Sequence, residues 1–152
     1  MKAIVQRVLS STLSIDGKEY SSINKGFMVL IGITHNDTIK DVKVMAEKII
    51  KLRVFEDENG KMNLSLNDIG GELQIVSQFT LYADCKGGNR PAFIDAARPE
   101  TAIPLYENFI EYCKTLTENK VVTGEFGADM KIDLINDGPV TICLEVVDGK
   151  VL

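Results

Sequence analysis

The sequence predicts a single α/β domain over residues 1–152, built as layered mixed sheets or a barrel-like sheet with two helices on one side. Three observations lead to this fold class. A chain of 152 residues with 45% hydrophobic content is the size of one globular core. Two stretches in the middle have the apolar spacing of amphipathic helices. Strand-like segments precede each helix and also group at both ends, so the predicted order is ββ-(βα)2-βββ.

The first part of the chain predicts a hairpin and then a central strand. Ala3–Leu9 and Leu13–Ile15 have the pattern of strands, and Asp16-Gly17 supplies a turn signal next to them. Phe27–Ile33 is apolar on both alternations, as in a strand that is covered on both faces. This longest apolar run is far shorter than the roughly 18–20 residues that cross a bilayer, so no membrane segment is expected.

The middle of the chain predicts a helix, a tight turn and another strand. The helix follows Thr38, and its apolar face recurs at helical spacing through Ile39, Val42, Met45, Ala46, Ile49 and Leu52. Asp57–Gly60 lacks the alternating oxygens and the late glutamate of a calcium loop, so it indicates an ordinary hairpin turn. Leu73–Leu81 then alternates as a strand.

The second half predicts a loop, a helix and three strands. Cys85–Arg98 is a loop rich in glycine and charge. Thr101 is predicted to cap the next helix, which places Pro104 in the first turn, where its missing N–H has no intrahelical partner. The apolar stripe of this helix comprises Ala102, Leu105, Phe109, Tyr112, Cys113 and Leu116. The predicted strands of the tail are Val121–Phe126, Met130–Ile135 and Val140–Val147.

The composition restricts the function classes. Seventeen basic and twenty-two acidic residues give a net charge of −5. This balance argues against a broad, charge-driven nucleic-acid surface, so any nucleic-acid contact must be local. The three cysteines are widely separated, and a single histidine leaves no metal-ligand spacing. We therefore expect a reduced, cytoplasmic protein without structural zinc.

Two segments place polar or conformationally special residues where a strand pattern should continue. In the first segment, Ser77–Thr80, the two hydroxyl residues Ser77 and Thr80 are either nucleophiles that need a base from elsewhere or strand residues hydrogen-bonded to neighbouring backbone. In the second, Gly138-Pro139 is either a turn before a strand or a cis X-Pro site, whose successive carbonyls would point the same way. The sequence does not determine the isomer.

Three other features have competing interpretations. His35 lies in a polar stretch before the first helix, which favours a surface or capping role over a Ser-His-Asp relay. Arg7 shares the strand alternation of Val5 and would point into an apolar layer, where an arginine needs an oxygen partner. The loop Lys86–Pro91 either holds a phosphate with its cations and N–H groups or is simply solvated.

Taken together, these segments resemble the D-aminoacyl-tRNA deacylase family along essentially the whole chain. The resemblance rests on Gln6–Val8, Lys61–Leu64, Val76–Leu81, Gly88–Pro91, Thr123–Met130 and Asn136–Thr141. The sequence does not depart from the family pattern at these positions.

The resemblance implies an aminoacyl-tRNA deacylase, a carboxylic ester hydrolase that removes D-amino acids from the 3′ adenosine of tRNA, with glycine as a further candidate substrate. It implies a homodimer in which Gly138-Pro139 of one chain enters the pocket beside Ser77–Thr80 of the other. Carbonyls of a cis Gly138-Pro139 bond would hold the α-amino group and exclude an L side chain. A related achiral branch would hold this bond trans. No cofactor, metal or membrane partner is implied.

The resemblance also implies roles for individual residues. The residues expected in catalysis are Ser77, Gln78, Phe79 and Thr80. Those expected to bind the substrate are Gly138, Pro139, Phe126 and Met130, and Arg7 is expected to support the substrate-binding loop. The residues expected to contact tRNA are Lys86, Arg90 and Arg98. Backbone N–H groups near Phe79 and Thr80 would stabilise the oxyanion while the neighbouring ribose hydroxyl assists. The few cations predict weak, salt-sensitive tRNA binding.

Two other hypotheses remain open from the sequence. In the first, Thr80 attacks the ester and forms an acyl intermediate. In the second, the protein is a dimeric module that binds small amines or amino acids without chemistry. Replacement of Thr80 by Ala tests the first, and an assay with D-Tyr-tRNA and L-Tyr-tRNA tests the second.

Overall fold

A computed structural model describes all 152 residues, with nine strands, two α-helices and one 3₁₀ helix. In chain order the elements are β1 (Lys2–Ile15), β2 (Lys18–Ile23), β3 (Gly26–Gly32), α1 (Ile39–Lys51), β4 (Phe55–Glu56), β5 (Met62–Leu64), β6 (Glu72–Ser77), the 3₁₀ helix (Phe79–Tyr82), α2 (Pro99–Leu116), β7 (Val121–Thr123), β8 (Met130–Val147) and β9 (Lys150–Val151).

Seven of the strands form one mixed sheet in the order β7-β6-β3-β1-β8-β9, with β2 paired to the second half of β1. Strand β1 is antiparallel to β3, β2 and β8, whereas β3, β6 and β7 run parallel to one another. Strands β4 and β5 form a separate hairpin around the predicted Asp57–Gly60 turn. The predicted fold class, an α/β fold with a mixed sheet, is confirmed.

Both helices cover the same face of the sheet, as the sequence predicted. Val5, Val29 and Ile75 from three neighbouring strands are buried against Met45 of α1 and Phe109 of α2, within the main hydrophobic core. A smaller apolar cluster on the opposite face joins β1, β2, β3 and β6. Successive side chains of β3 therefore pack into the apolar layers on opposite faces of the sheet, which explains why its sequence is apolar throughout.

The predicted strand bounds are wrong at the N-terminus, although two strands do precede the central strand as predicted. Ala3–Leu9 and Leu13–Ile15 are not two strands of a hairpin but parts of the single strand β1, and β2 is the true hairpin partner. The polar residues between the predicted strands stay in the ladder because Ser11 is buried, with its hydroxyl donating to the side-chain oxygen of Gln74 at 2.6 Å. A register irregularity near Val8 also turns Leu9 outward, where half of it is exposed.

Two further strand predictions need correction. Met130–Ile135 and Val140–Val147 belong to one strand, β8, so Gly138-Pro139 lies within a strand rather than in a turn. The strand predicted to reach Leu81 ends at Ser77, because the chain then enters the 3₁₀ helix. Periodicity misses both changes, since alternating side chains persist through an irregular backbone.

The second helix begins two residues before the predicted cap at Thr101. Arg98 precedes its first turn and Pro99 occupies the first helical position, where a fixed φ and a missing N–H are both tolerated. Pro104 consequently lies inside the helix rather than in its first turn, and the carbonyl of Glu100 has no N–H partner four residues on. Glu100 is exposed, so water can satisfy that carbonyl.

The first helix is capped as the polar stretch before it predicts. The backbone N–H of Thr38 donates to the carboxylate of Asp41 at 2.8 Å, and Asp41 also accepts the Gly149 N–H at 2.7 Å. The same carboxylate therefore ties the start of α1 to the turn after β8. Neither α-helix combines the length with the hydropathy that a bilayer-crossing segment requires.

Candidate active site

The main candidate site is a pocket of about 300 Å³ at the carboxyl ends of the parallel strands β3 and β6. Its walls come from these two strand ends, from residues 126–129, from the start of β8 and from Ala97 and Ala102 around the start of α2. Ten of its fourteen lining residues are hydrophobic. A crevice beyond the carboxyl ends of parallel strands is where α/β folds commonly bind ligands.

The predicted catalytic segment lies at this pocket. Ser77, Gln78 and Phe79 line it, whereas Thr80 is exposed and does not. Phe79 and Thr80 are the first two residues of the 3₁₀ helix, so their N–H groups have no intrahelical partner. The amide of Gln78 is hydrogen-bonded to the Thr80 hydroxyl. The segment thus presents free backbone donors next to an apolar cavity.

Phe126 and Met130, the two predicted substrate-binding residues on the other wall, also line the pocket. Phe126 packs against the ring of Tyr106, with 5.9 Å between the ring centroids. A Cβ on Gly124 would lie 2.5 Å from the sulfur of Met130, which is closer than real Cβ atoms approach. A side chain at position 124 would therefore force the end of Met130 to shift from its place in this wall.

Gly138 and Pro139 do not line the pocket of their own chain. They lie in an outward bulge of β8, because Val8 pairs with Asn136 and Gln6 pairs with Thr141. Four residues of β8, from position 137 to 140, consequently stand opposite one residue of β1. Gly138 and Pro139 are exposed, and the bond between them is cis.

The residue of β1 opposite this bulge is Arg7, which is only 5% exposed. Its Nε donates to the carbonyl oxygen of Asp137 at 3.0 Å and its Nη1 donates to the carbonyl of Val54 at 2.7 Å. The Asp137 carboxylate lies 3.5 Å from Nε. The inward arginine therefore has the oxygen partners that its strand position requires, and it fixes the main chain directly before Gly138.

The three predicted tRNA-contacting cations lie on the exposed loop between the 3₁₀ helix and α2. Lys86, Arg90 and Arg98 are all exposed, and none of them forms an ion pair. A backbone bridge between Asp84 and Ala92 closes the loop segment that carries Lys86 and Arg90. The cations are therefore free to meet an anionic ligand.

Comparison with known proteins identifies the family. The profile described as D-Tyr-tRNA(Tyr) deacylase matches residues 4–145 of the chain. The chain belongs to the D-Tyr-tRNA(Tyr) deacylase family.

Individual relatives agree with this family. A protein of Clostridium novyi (strain NT) named D-aminoacyl-tRNA deacylase is 58% identical over 145 residues, which cover 95% of this chain and 97% of the relative. A D-aminoacyl-tRNA deacylase of Cytophaga hutchinsonii is 57% identical with the same coverage.

Two solved structures resemble the fold closely. The structure described as c-Myc DNA Unwinding Element Binding Protein has a TM-score of 0.92 and 42% identity, and the alignment covers 97% of this chain and 99% of that chain. The structure of a probable eukaryotic D-amino acid tRNA deacylase has a TM-score of 0.80 over 93% of this chain and 97% of that chain. At 16% identity, the second likeness concerns the fold alone.

Behind the wall of this deacylase-family pocket, against Phe126, lies Tyr106, a residue that sequence reasoning missed. Its buried hydroxyl donates to the carbonyl of Ile75 at 3.0 Å. Burial raises the pKa of Tyr106 well above its ordinary range, although a hydrogen bond from the Ser77 N–H lowers it. The hydroxyl thus hydrogen-bonds the main chain of β6 near the point where β7 ends, shortly before Gln78. The helical stripe of the sequence named Tyr112 instead, whose hydroxyl bonds Glu47.

Other residues of the deacylase-family chain contribute less to the pocket chemistry. Asp129 lines the pocket, but its carboxylate accepts from the Lys131 ammonium at 2.9 Å, and both side chains are exposed. His35 is exposed, as the sequence predicted, with Nε2 at 2.6 Å from the carbonyl of Ile94. No histidine, lysine or carboxylate is hydrogen-bonded to Ser77 or Thr80. Neither hydroxyl therefore has a side-chain base as a hydrogen-bond partner.

Proposed function

We propose that this protein hydrolyses the ester bond between a D-amino acid and the 3′ adenosine of tRNA, as a proofreading step in translation. Members of its family are hydrolases of aminoacyl-tRNA, and this chain shares their sequence over nearly its whole length. The observation that carries the proposal is the apolar pocket lined by Ser77–Phe79, next to which the N–H groups of Phe79 and Thr80 have no intrahelical partner. Backbone donors of this kind suit the oxyanion of an acyl-transfer reaction.

The proposed reaction uses the substrate's own chemistry. A water molecule attacks the ester carbonyl carbon, and negative charge develops on the carbonyl oxygen near Phe79 and Thr80. A preorganised donor at that oxygen typically stabilises the transition state by about 3–4 kcal/mol. The C–O bond to the ribose then breaks, and the ribose oxygen gains a proton. The neighbouring ribose hydroxyl assists these proton movements, which leaves free amino acid and free tRNA.

The proposed enzyme is a homodimer whose subunits complete one another's sites. Strand β8 pairs with β1 on one side, but on its other side only Val146 and Val147 pair with β9. The edge from 130 to 144 is therefore open, and a covering element is one of the ways in which proteins protect a long open edge. Ile135 on this strand is 55% exposed. A second copy that covers this edge would receive the Gly138-Pro139 bulge in its pocket.

The proposed selectivity is steric. Main-chain carbonyls of Gly138 and Pro139 from the partner would hold the α-amino group of the substrate. The side chain of a D-amino acid then points away from this backbone, whereas an L side chain meets it. Glycine has no side chain to reject, so it is expected to be hydrolysed as well. Because the discriminating groups belong to the main chain, every L-amino acid with a side chain meets the same clash.

The tRNA contact is proposed to be local. Lys86, Arg90 and Arg98 would bind phosphates near the 3′ end of the tRNA. Although one structural relative is described as a DNA unwinding element binding protein, the net charge of −5 on this chain disfavours broad binding to duplex DNA.

The competing hypotheses find less support in the site. The only side-chain partner of the Thr80 hydroxyl is the Gln78 amide, which is not a base, so an attacking alkoxide at Thr80 has nothing to generate it. A purely binding module would hold its ligand without turnover. The direct test compares release of amino acid from D-Tyr-tRNA and L-Tyr-tRNA. Release from the D substrate alone supports the proposal, and release from neither contradicts it.

The shared site has a sharper test by complementation. Gly138→Ala disables the bulge, because φ is +125° and a Cβ there would lie 2.9 Å from Val140. Ala128→Trp fills the pocket that Ala128 lines. Each variant alone should be inactive, but mixed dimers contain one intact pocket facing one intact bulge. Unfolding and refolding the two together should recover about one quarter of wild-type activity in a symmetric dimer. No recovery would place each site within one chain.

A further inference from the structure

The loop beside the pocket exposes an aromatic surface that the core does not explain. Phe79 is 55% exposed and Phe93 is 39% exposed, and their rings meet edge to face with 5.1 Å between centroids. Phe79 lines the pocket, so Phe93 lies just outside its mouth. Ile94, the next residue, is 74% exposed. Large apolar side chains left in water at a pocket mouth commonly contact a ligand or partner.

This surface is held in place by backbone anchors on both sides of Phe93. Ala92 exchanges two backbone hydrogen bonds with Asp84, at 2.8 and 2.9 Å. After Phe93, the carbonyl of Ile94 lies 2.6 Å from Nε2 of His35, and the hydroxyl of Thr34 donates to the carbonyl of Asp95 at 2.6 Å. The Phe93 ring is therefore presented on a fixed segment, which lowers the entropy lost when a ligand binds.

The charge around the ring favours one kind of ligand. From Asp84 to Arg98 the chain carries three cations and two carboxylates, although the protein as a whole has a net charge of −5. The three cations have no ion-pair partner, whereas the carboxylate of Asp84 accepts the backbone N–H of Lys86. Unpaired cations on the same loop as an exposed aromatic ring are typical of surfaces that bind single-stranded nucleic acid.

We propose that Phe93 is a stacking surface for a nucleobase of the unpaired 3′ strand of tRNA, the base immediately before the terminal adenosine. This inference rests on the proposed function, in which the terminal adenosine occupies the pocket beside Phe79. The next base along the strand then lies over the ring of Phe93, and its phosphates face the cations of the loop. Every base has a π face, so this contact supplies affinity without selecting a sequence.

The test compares a substrate that contains this base with one that ends before it. One is D-Tyr-tRNA, and the other is adenosine esterified with D-tyrosine, which ends at the pocket. Phe93→Ala should raise KM for D-Tyr-tRNA about tenfold, the scale of one lost base–aromatic stack. It should leave KM for the adenosine ester unchanged. Phe93→Leu should behave like Phe93→Ala, whereas Phe93→Tyr should restore wild-type KM, because only Tyr keeps an aromatic face.

Three outcomes would overturn the inference. An equal loss on both substrates would show that Phe93 acts only by packing against Phe79. No loss on either substrate would show that no base stacks there. A shift from dimer to monomer in Phe93→Ala would show that a second copy of the chain covers the ring. Failure of the proposed function is distinguishable, because wild-type protein would then hydrolyse neither substrate.

Discussion

The guanidinium of Arg7 holds the main chain next to Gly138, since Nε donates to the carbonyl of Asp137 at 3.0 Å. The two residues are 130 positions apart in sequence, yet they face each other across the β1–β8 ladder. Through Nη1 the same side chain reaches the carbonyl of Val54, on the segment that follows α1. One buried cation thus connects the exposed bulge of β8 to the body of the fold.

Replacement of Arg7 by Lys is expected to loosen the bulge. A lysine ammonium is a single point charge and cannot bond both carbonyls with the geometry of the guanidinium. We expect the free energy of unfolding to fall by about 2 kcal/mol and kcat/KM on D-Tyr-tRNA to fall about tenfold or more. Urea unfolding and single-turnover deacylation measure the two effects.

The matched control for this change is Arg53→Lys, because Nε of Arg53 also donates to a carbonyl, that of Asn63, but at the surface. Arg53→Lys should change neither the free energy of unfolding nor kcat/KM appreciably. Equal effects of Arg53→Lys and Arg7→Lys would contradict the role of Arg7 in supporting Gly138.

Two substitutions at Thr80 separate a hydroxyl role from a backbone role. Thr80→Ala removes the hydroxyl that Gln78 bonds but keeps the N–H, so we expect most of the turnover to remain. Thr80→Pro removes the N–H at the second position of the 3₁₀ helix, where proline is tolerated. Loss of one oxyanion donor should lower kcat about 100- to 1000-fold. Inactivity of Thr80→Ala would instead favour a covalent intermediate.

Tyr106→Phe tests whether the end of β6 must be held by the phenol. The change removes a buried hydroxyl that bonds Ile75 at 3.0 Å, and it should lower stability by about 1 kcal/mol. Because this bond holds the end of β6 beside the candidate catalytic segment, kcat should fall while KM stays near the wild-type value. The measurements are steady-state kinetics on D-Tyr-tRNA and thermal unfolding.

Tyr112→Phe is the control on the same helix, since its hydroxyl bonds Glu47 away from the pocket. It should leave kcat unchanged. A purely structural role for Tyr106 would be indicated if Tyr106→Phe lost stability but kept full kcat.

The ionised carboxylate of Asp41 is expected to stabilise the folded state, and this stabilisation should be lost in acid. Burial of this carboxyl would raise its pKa, but hydrogen bonds from Gly149 and Thr38 outweigh burial and hold the pKa below its ordinary value. A lowered pKa stabilises the folded state above the ordinary aspartate value of about 3.9, and this stability is lost as the pH falls further. Asp41→Asn should therefore cost about 2 kcal/mol at pH 7 and progressively less below pH about 4.

Urea unfolding of wild-type and Asp41→Asn protein across this pH range measures the effect. Asp16→Asn is the control, because Asp16 is an exposed turn residue whose carboxylate forms no ion pair. A cost for Asp41→Asn that does not change with pH would contradict the ionic origin of the stabilisation.

The elements that sequence reasoning predicted well are those with a local signal. The apolar face of α1 and the doubly apolar β3 depend on residues a few positions apart, so periodicity places them within one or two residues. The continuous course of β1 was missed because Ser11 resembles a loop residue until Gln74, 63 positions away, is seen to bond it. Local patterns do not contain such partners.

The candidate site divides in the same way. Ser77–Phe79, Phe126 and Met130 were named from the sequence and its family resemblance, and the fold brings them to one pocket. Tyr106 was missed because a tyrosine on a helix carries no mark that its hydroxyl will meet the end of a strand. Only the docking of α2 against β6 decides that contact.

By itself the sequence determined the class of fold, the amphipathic faces of the helices, the residues of the candidate catalytic segment and, through resemblance, the family. These follow from side-chain chemistry and short-range spacing, which any copy of the chain carries. Only the tertiary structure decided that residues 137–140 stand opposite Arg7 in a bulge and that Gly138 and Pro139 do not line the pocket of their own chain. Register between distant strands is set by the packing of both sheet faces at once, so no single stretch of sequence determines it.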